Sequence, residues 1–97
     1  MTAQQMPALF AAQAVALSAR TGSLTSHAVD DLRTKAEELL PRGDDLRAAI
    51  LSFATMYEEH RRDAYAVEKL GEGLERAVAV ALNPDRPVAR ERRDIDG

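Results

Sequence analysis

Residues 44–82 read DDLRAAILSFATMYEEHRRDAYAVEKLGEGLERAVAVAL, and their spacing decides the fold. From Leu46 onward, apolar-seam positions fall at 46, 50, 53, 57, 60, 64, 67, 71, 74, 78 and 81. Their occupants are Leu46, Ile50, Phe53, Tyr57, His60, Ala64, Val67, Gly71, Leu74, Val78 and Ala81. Steps of four and three residues alternate without a slip, the knobs-into-holes period of packed helices. Asp44 and Asp45 open the stretch, where the helix dipole favours negative charge. Gly71 and Gly73 flank Glu72, and each glycine costs about 1 kcal/mol relative to alanine inside a helix. The spacing predicts a long third helix over about 44–70, a kink or break near 70–73, and a shorter helix over about 73–82. A break at Arg62-Asp63, with Asp63 capping the next helix, is the alternative.

Upstream, two shorter helices are expected. The first runs from about Pro7 to Ala19, with proline tolerated in its first turn and Gly22 able to take the left-handed conformation that closes a helix. On a helical wheel Met6, Leu9, Phe10 and Leu17 share one face, and Ala8, Ala11, Val15 and Ala19 lie opposite. Large residues on one side and small ones on the other suggest a helix packed on both, the most buried in the assembly. The second helix runs from about Ser26 to Leu40, with Thr25 or Ser26 as N-cap and Val29, Leu32, Ala36, Leu39 and Leu40 as its stripe. Pro41-Arg42-Gly43 stops it. No strand-like alternation of useful length occurs. The fold class expected is all-α: a three- to four-helix antiparallel bundle spanning residues 1–83, followed by an extended or disordered tail over 84–97 that begins at Asn83-Pro84.

The long helix has a consequence for assembly. At 1.5 Å per residue it reaches about 40 Å, whereas the first two helices reach about 20–23 Å. A compact domain of this length is roughly 30 Å across. If the long helix stays straight, its seam is left partly uncovered, and a symmetric homodimer through Ile50, Phe53, Tyr57, His60, Ala64 and Val67 is the expected remedy. Otherwise the seam breaks and folds back into a monomeric four-helix bundle.

Composition narrows the function classes. The chain has 97 residues, 45% of them apolar, with four aromatics and no cysteine. Cysteine chemistry of every kind is excluded, and a reducing cytoplasm suits such a chain. Eleven arginines against two lysines, with abundant alanine, follow the bias of GC-rich bacterial genomes. The net charge is −3 and no segment is strongly basic, so phosphate neutralisation is weak and nucleic-acid binding is disfavoured. Arg86, Arg90, Arg92 and Arg93 in the tail are cancelled by Asp85, Glu91, Asp94 and Asp96. The first 19 residues carry no charge, yet Ala8–Ala19 has no basic segment before it and is too short and polar for a bilayer span.

Candidate chemistry is thin. Tyr57 and His60 hold consecutive seam positions; buried together, they would form a polar layer that fixes register, with histidine as a pH switch. A hydrogen-bonded or partly exposed histidine beside Glu59 and Asp63 is the simpler expectation. Glu58-Glu59-His60-Arg61-Arg62-Asp63 spreads around a helix as ion pairs rather than converging. There is no Glu-x-x-His pair for a bundle-type metal site, no Gly-x-Ser-x-Gly turn and no phosphate loop, so neither a catalytic residue nor a metal or other cofactor is expected. Asp44 and Asp45 at the head of the third helix would point acid at phosphate in a helix-turn-helix. The function expected is a non-enzymatic interaction module: an adaptor, regulator or assembly subunit. Its rivals are a small helical enzyme or ligand binder using Arg47, Glu59, His60 and Arg61, and a phage-type or nucleic-acid-associated assembly component.

Overall fold

The computed structural model describes residues 3–83, and the expected tail over 84–97 lies outside them. A 3-10 turn over Ala3–Gln5 leads into α1 (Met6–Thr21), followed by α2 (Ser26–Leu39), α3 (Asp45–His60) and α4 (Ala64–Leu82). No strand occurs among the described residues. The principal packing forms a closed ring in which α1 meets α2 and α4, and α3 meets the same two. Short connections at 22–25, 40–44 and 61–63 return each helix beside its predecessor.

Each helix end has a local cause. Gly22, at φ 79°, closes α1 in the left-handed conformation, and its N–H donates to the Ser18 carbonyl. Thr25 caps α2, its Oγ1 accepting from the Ala28 N–H at 3.2 Å. After α2, the chain turns through Gly43 at φ 86°. Asp44 Oδ1 then accepts from the N–H groups of Leu46 and Arg47 at 2.8 and 3.1 Å, satisfying two donors that helix geometry leaves orphaned. Asp63 does the same for α4 through the Ala66 N–H at 3.1 Å.

The long third helix is therefore not found. The seam breaks at Arg61-Arg62-Asp63, and α3 ends at His60. Leu46, Ile50, Phe53 and Tyr57 are buried on α3, and Val67, Gly71, Leu74 and Val78 on α4. Only His60 and Ala64, at the turn, are exposed. The heptad spacing survives because both arms of the hairpin face one core.

The expected break at 70–73 is also corrected: α4 runs unbroken through Gly71 and Gly73. Gly71 is buried where α4 crosses α1, and a Cβ there would stand 2.7 Å from Ala19 Cβ and 3.1 Å from the Ala16 carbonyl oxygen. The glycine is needed for close approach, and the packing gained offsets its helix cost. The core is correspondingly light. Leu9, Val29, Leu32 and Ile50 are its largest fully buried side chains, surrounded by Ala8, Ala12, Ala16 and Ala36.

Candidate functional site

Of the seam residues expected at a dimer interface, Ile50, Phe53, Tyr57 and Val67 are buried within the single chain, and His60 and Ala64 are exposed at the α3–α4 turn. Ile50 is fully buried within the single chain, and Phe53, Tyr57 and Val67 are at most 8% exposed. Phe53 and Tyr57 stack on one another, ring centroids 6.4 Å apart. Tyr57 and His60 do not form a buried polar layer: His60 is exposed at the turn, its Nε2 3.8 Å from Glu59 Oε1. Physically, the helix ends at His60, so the next seam position lies on the outside of a bend.

The polar group Arg47, Glu59, His60 and Arg61 is not assembled either. Arg47 stands in the first turn of α3, whereas Glu59 and His60 end that helix and Arg61 follows it, a separation of roughly 18 Å or more along the axis. Arg47 Nε is buried without a partner, while its backbone N–H is taken by Asp44. Arg61 Nη1 donates to Ser26 Oγ at 3.1 Å, tying the α3–α4 turn to the start of α2. Glu58, Glu59, His60, Arg61, Arg62 and Asp63 surround a shallow depression of about 450 Å³ on the outside of the turn. A second, of about 160 Å³, lies between the Tyr57, Arg61 and Arg62 side chains and Leu24. A cleft of about 420 Å³ at the other end is lined by Gln5, Asp44, Asp45, Leu46, Val80 and neighbouring alanines. In none of these do acid, base and nucleophile converge. Among the described residues no three His, Cys, Asp or Glu side chains gather around a common metal position.

The exposed large apolar side chains are Phe10 and Leu17 on α1, Met56 on α3, and Tyr65, Val80 and Leu82 on α4; the pair on α1 shares one side of its helix. The small residues of α1 are turned inward: Ala8, Ala12, Ala16 and Ala19 are at most 2% exposed, with Leu9 and Val15 beside them. Two of its large ones are not. Phe10 is 56% and Leu17 62% exposed, two turns apart on the side away from the core. Gln13 and Ala14 are exposed between them, and Met6 is half-buried at the N-terminal end of the same side. The expectation that α1 is packed on both faces is met on one face only. The ring of helices encloses the alanine side together with Leu9, α4 approaching closely at Gly71, and leaves Phe10 and Leu17 open.

No charged residue interrupts this face. Arg20 is the only charge in residues 1–24, and its guanidinium is turned to α4, donating to both Glu75 carboxylate oxygens at 2.8 and 3.1 Å. At the C-terminal end of α1, Thr21 Oγ1 donates back to the Leu17 carbonyl. The helical wheel groups Met6, Leu9, Phe10 and Leu17 as one packed stripe; Leu9 is buried as expected, whereas Phe10 and Leu17 are exposed. The charge-free run before Arg20 was the available signal that this stripe differs from an ordinary solvated helix face.

Among the described residues, no helix is long and apolar enough to cross a membrane. Comparison with family models, curated proteins and solved structures gives no match on which an argument from relatedness can stand.

Proposed function

We propose that the protein is a non-catalytic interaction module that works by presenting the outer face of α1 to another protein surface. The observation that carries this reading is the exposure of Phe10 and Leu17 on a helix side free of charge. A single exposed apolar residue is ordinary on any protein. Two bulky ones two turns apart on one helix side, with Gln13 and Ala14 exposed between them, make an open face without charge, and exposed apolar faces are where proteins meet. Covering the face removes apolar surface from water, at about 25 cal/mol per Å². Self-association belongs to this reading, with the interface moved from the α3 seam to α1. A chain without cysteine suits work in a reducing cytoplasm.

The test is a Phe10→Ser, Leu17→Ser double variant. Substitutions at an open interaction face leave the folded chain's own stability within about 0.5 kcal/mol per site. The expected outcome is an unchanged circular-dichroism spectrum and urea midpoint, together with loss of association seen by light scattering. A fall in stability of several kcal/mol would show instead that both side chains support the chain's own core, and the reading would fail.

A further inference from the structure

We infer that the cavity between the α1–α2 connection and the α3–α4 turn is a binding site for a small organic carboxylate, held by Arg61, Arg62 and the Tyr57 hydroxyl. The site goes beyond the α1 face proposed above and shares neither Phe10 nor Leu17 with it.

Tyr57 supplies the first observation. It is 5% exposed, and its ring is stacked on Phe53. Its hydroxyl makes no hydrogen bond among the described residues. The group is nevertheless not sealed off, because Arg47 Nε is the one fully enclosed side-chain polar atom there without a partner. What accessibility the phenol keeps opens on the cavity it lines. A hydroxyl in so buried a place costs free energy until something accepts its hydrogen bond. Since the phenolic O–H is a donor, the group that completes it brings an acceptor oxygen.

Charge selects the kind of oxygen. Arg61 and Arg62 border the same cavity, and neither has a carboxylate within ion-pair distance among the described residues. Arg61 uses one N–H on Ser26 Oγ at 3.1 Å, which holds it beside the start of α2. Arg62 makes no hydrogen bond among the described residues. No acidic side chain lines the cavity: Glu58, Glu59 and Asp63 lie around the depression outside the turn, and the two arginines stand between the two hollows. Asp63 Oδ1 is in addition engaged by the Ala66 N–H. Two guanidiniums and a phenol thus make a donor set without an acceptor, and the planar guanidinium fork matches a carboxylate.

Size and lining define the rest of the ligand. The cavity holds about 160 Å³, roughly half the volume at which pockets for drug-sized molecules begin, so its occupant has few heavy atoms. Leu24, Val67 and Ala19 form an apolar part of the wall. Inorganic phosphate would lose water against these side chains with nothing in return, whereas a short aliphatic chain gains by leaving water. A short-chain monocarboxylate such as butyrate has both matching halves.

The test is a titration of sodium butyrate into the isotope-labelled full chain, with sodium chloride adjusted to hold ionic strength, followed by amide shifts in NMR. The expected result is saturable shifts confined to residues 22–25 and 57–67, with a weaker response to inorganic phosphate. Tyr57→Phe removes the hydroxyl alone and is expected to weaken binding about tenfold or more, while the urea midpoint stays or rises because an unsatisfied buried group is gone. Arg62→Gln has no hydrogen bond within the chain to lose, so it should weaken binding with the fold unchanged. Should Tyr57→Phe fail to fold, Arg62→Gln decides alone: undiminished butyrate binding there overturns the site. Undiminished binding by a folded Tyr57→Phe overturns the part given to the hydroxyl. Tighter binding of phosphate than of butyrate overturns the carboxylate assignment. No saturable shift with either anion, or shifts spread over the whole surface, overturns the site itself.

Discussion

Gly71 and Gly73 are two residues apart on one helix, yet the packing around them assigns them opposite roles. A methyl group at Gly71 would enter the space of Ala19 Cβ and press on the Ala16 carbonyl. At Gly73 nothing but the end of the Arg76 side chain, 3.8 Å away, stands near the same position. Gly71→Ala is therefore expected to destabilise by about 1–3 kcal/mol through overpacking, with part of the loss recovered by adding Ala19→Gly. Gly73→Ala is expected to stabilise by about 0.5–1 kcal/mol, since only the helix cost of glycine is removed. Urea unfolding of the three variants measures both signs. A sequence-level propensity scale treats the two glycines alike, which is why it placed a break where α1 and α4 in fact approach closely.

Asp31 offers a second test at this scale. Its carboxylate accepts from the Lys35 ammonium one turn on, and that bond, aided by the nearby positive charge, holds the carboxyl below its ordinary value of 3.8. A carboxyl with a lowered folded-state pKa binds protons more readily when unfolded, so its contribution is present above the unfolded value and disappears as pH falls through the folded one. The stability difference between wild type and Lys35→Met is expected to be constant above about pH 5 and to shrink below about pH 4. Both partners are exposed and the effect is small. Denaturant titrations across that range would show it, and a difference that grows on acidification would contradict it.

At the scale of elements, the helix limits were legible where capping chemistry is unambiguous. Gly22, the Thr25 cap, the Pro41–Gly43 stop and the aspartates at the start of α3 lie where the sequence placed them. The division between α3 and α4 was not resolved, because heptad spacing is blind to a turn that keeps both arms facing the same core. Asp63 was the residue that distinguished the alternatives, and its cap holds the α4 start. Asp63→Ala is expected to cost about 0.5–2 kcal/mol, whereas Asp63→Asn, which keeps the accepting oxygen, should cost much less. Equal losses in the two variants, measured by thermal unfolding, would mean that the carboxylate acts by charge rather than as a cap. On α1 the wheel separated a large side from a small one, but only the arrangement of the other three helices decides which side is covered.

For the whole molecule, shape follows from the light core. The Cα extents are 43 × 32 × 19 Å, with a radius of gyration of 13.9 Å. Fully buried Leu9, Leu32 and Ile50 carry much of the apolar volume, so each is a sensitive position. Leu32→Ala is expected to cost about 2–5 kcal/mol, a large share of a stability near 5–15 kcal/mol for a domain of ordinary size. Substantial loss of helical signal at 37 °C would accord with that share; a change under 1 kcal/mol would mean that the site collapses around the cavity.

The turn at Arg61-Arg62-Asp63 also separates two ways of satisfying the same contacts. The seam keeps its phase across residues 57, 60, 64 and 67, so a chain in which 61–63 became helical would set the buried residues of α3 and α4 on one continuous stripe. That stripe, about 58 Å long over residues 44–82, could no longer close on itself. Its α4 half would find its place in the ring of another molecule, whose own α4 would return the exchange. Three residues and one capping carboxylate thus hold the protein on the side of closure within a single chain, and a hinge of this kind is where domain swapping would begin.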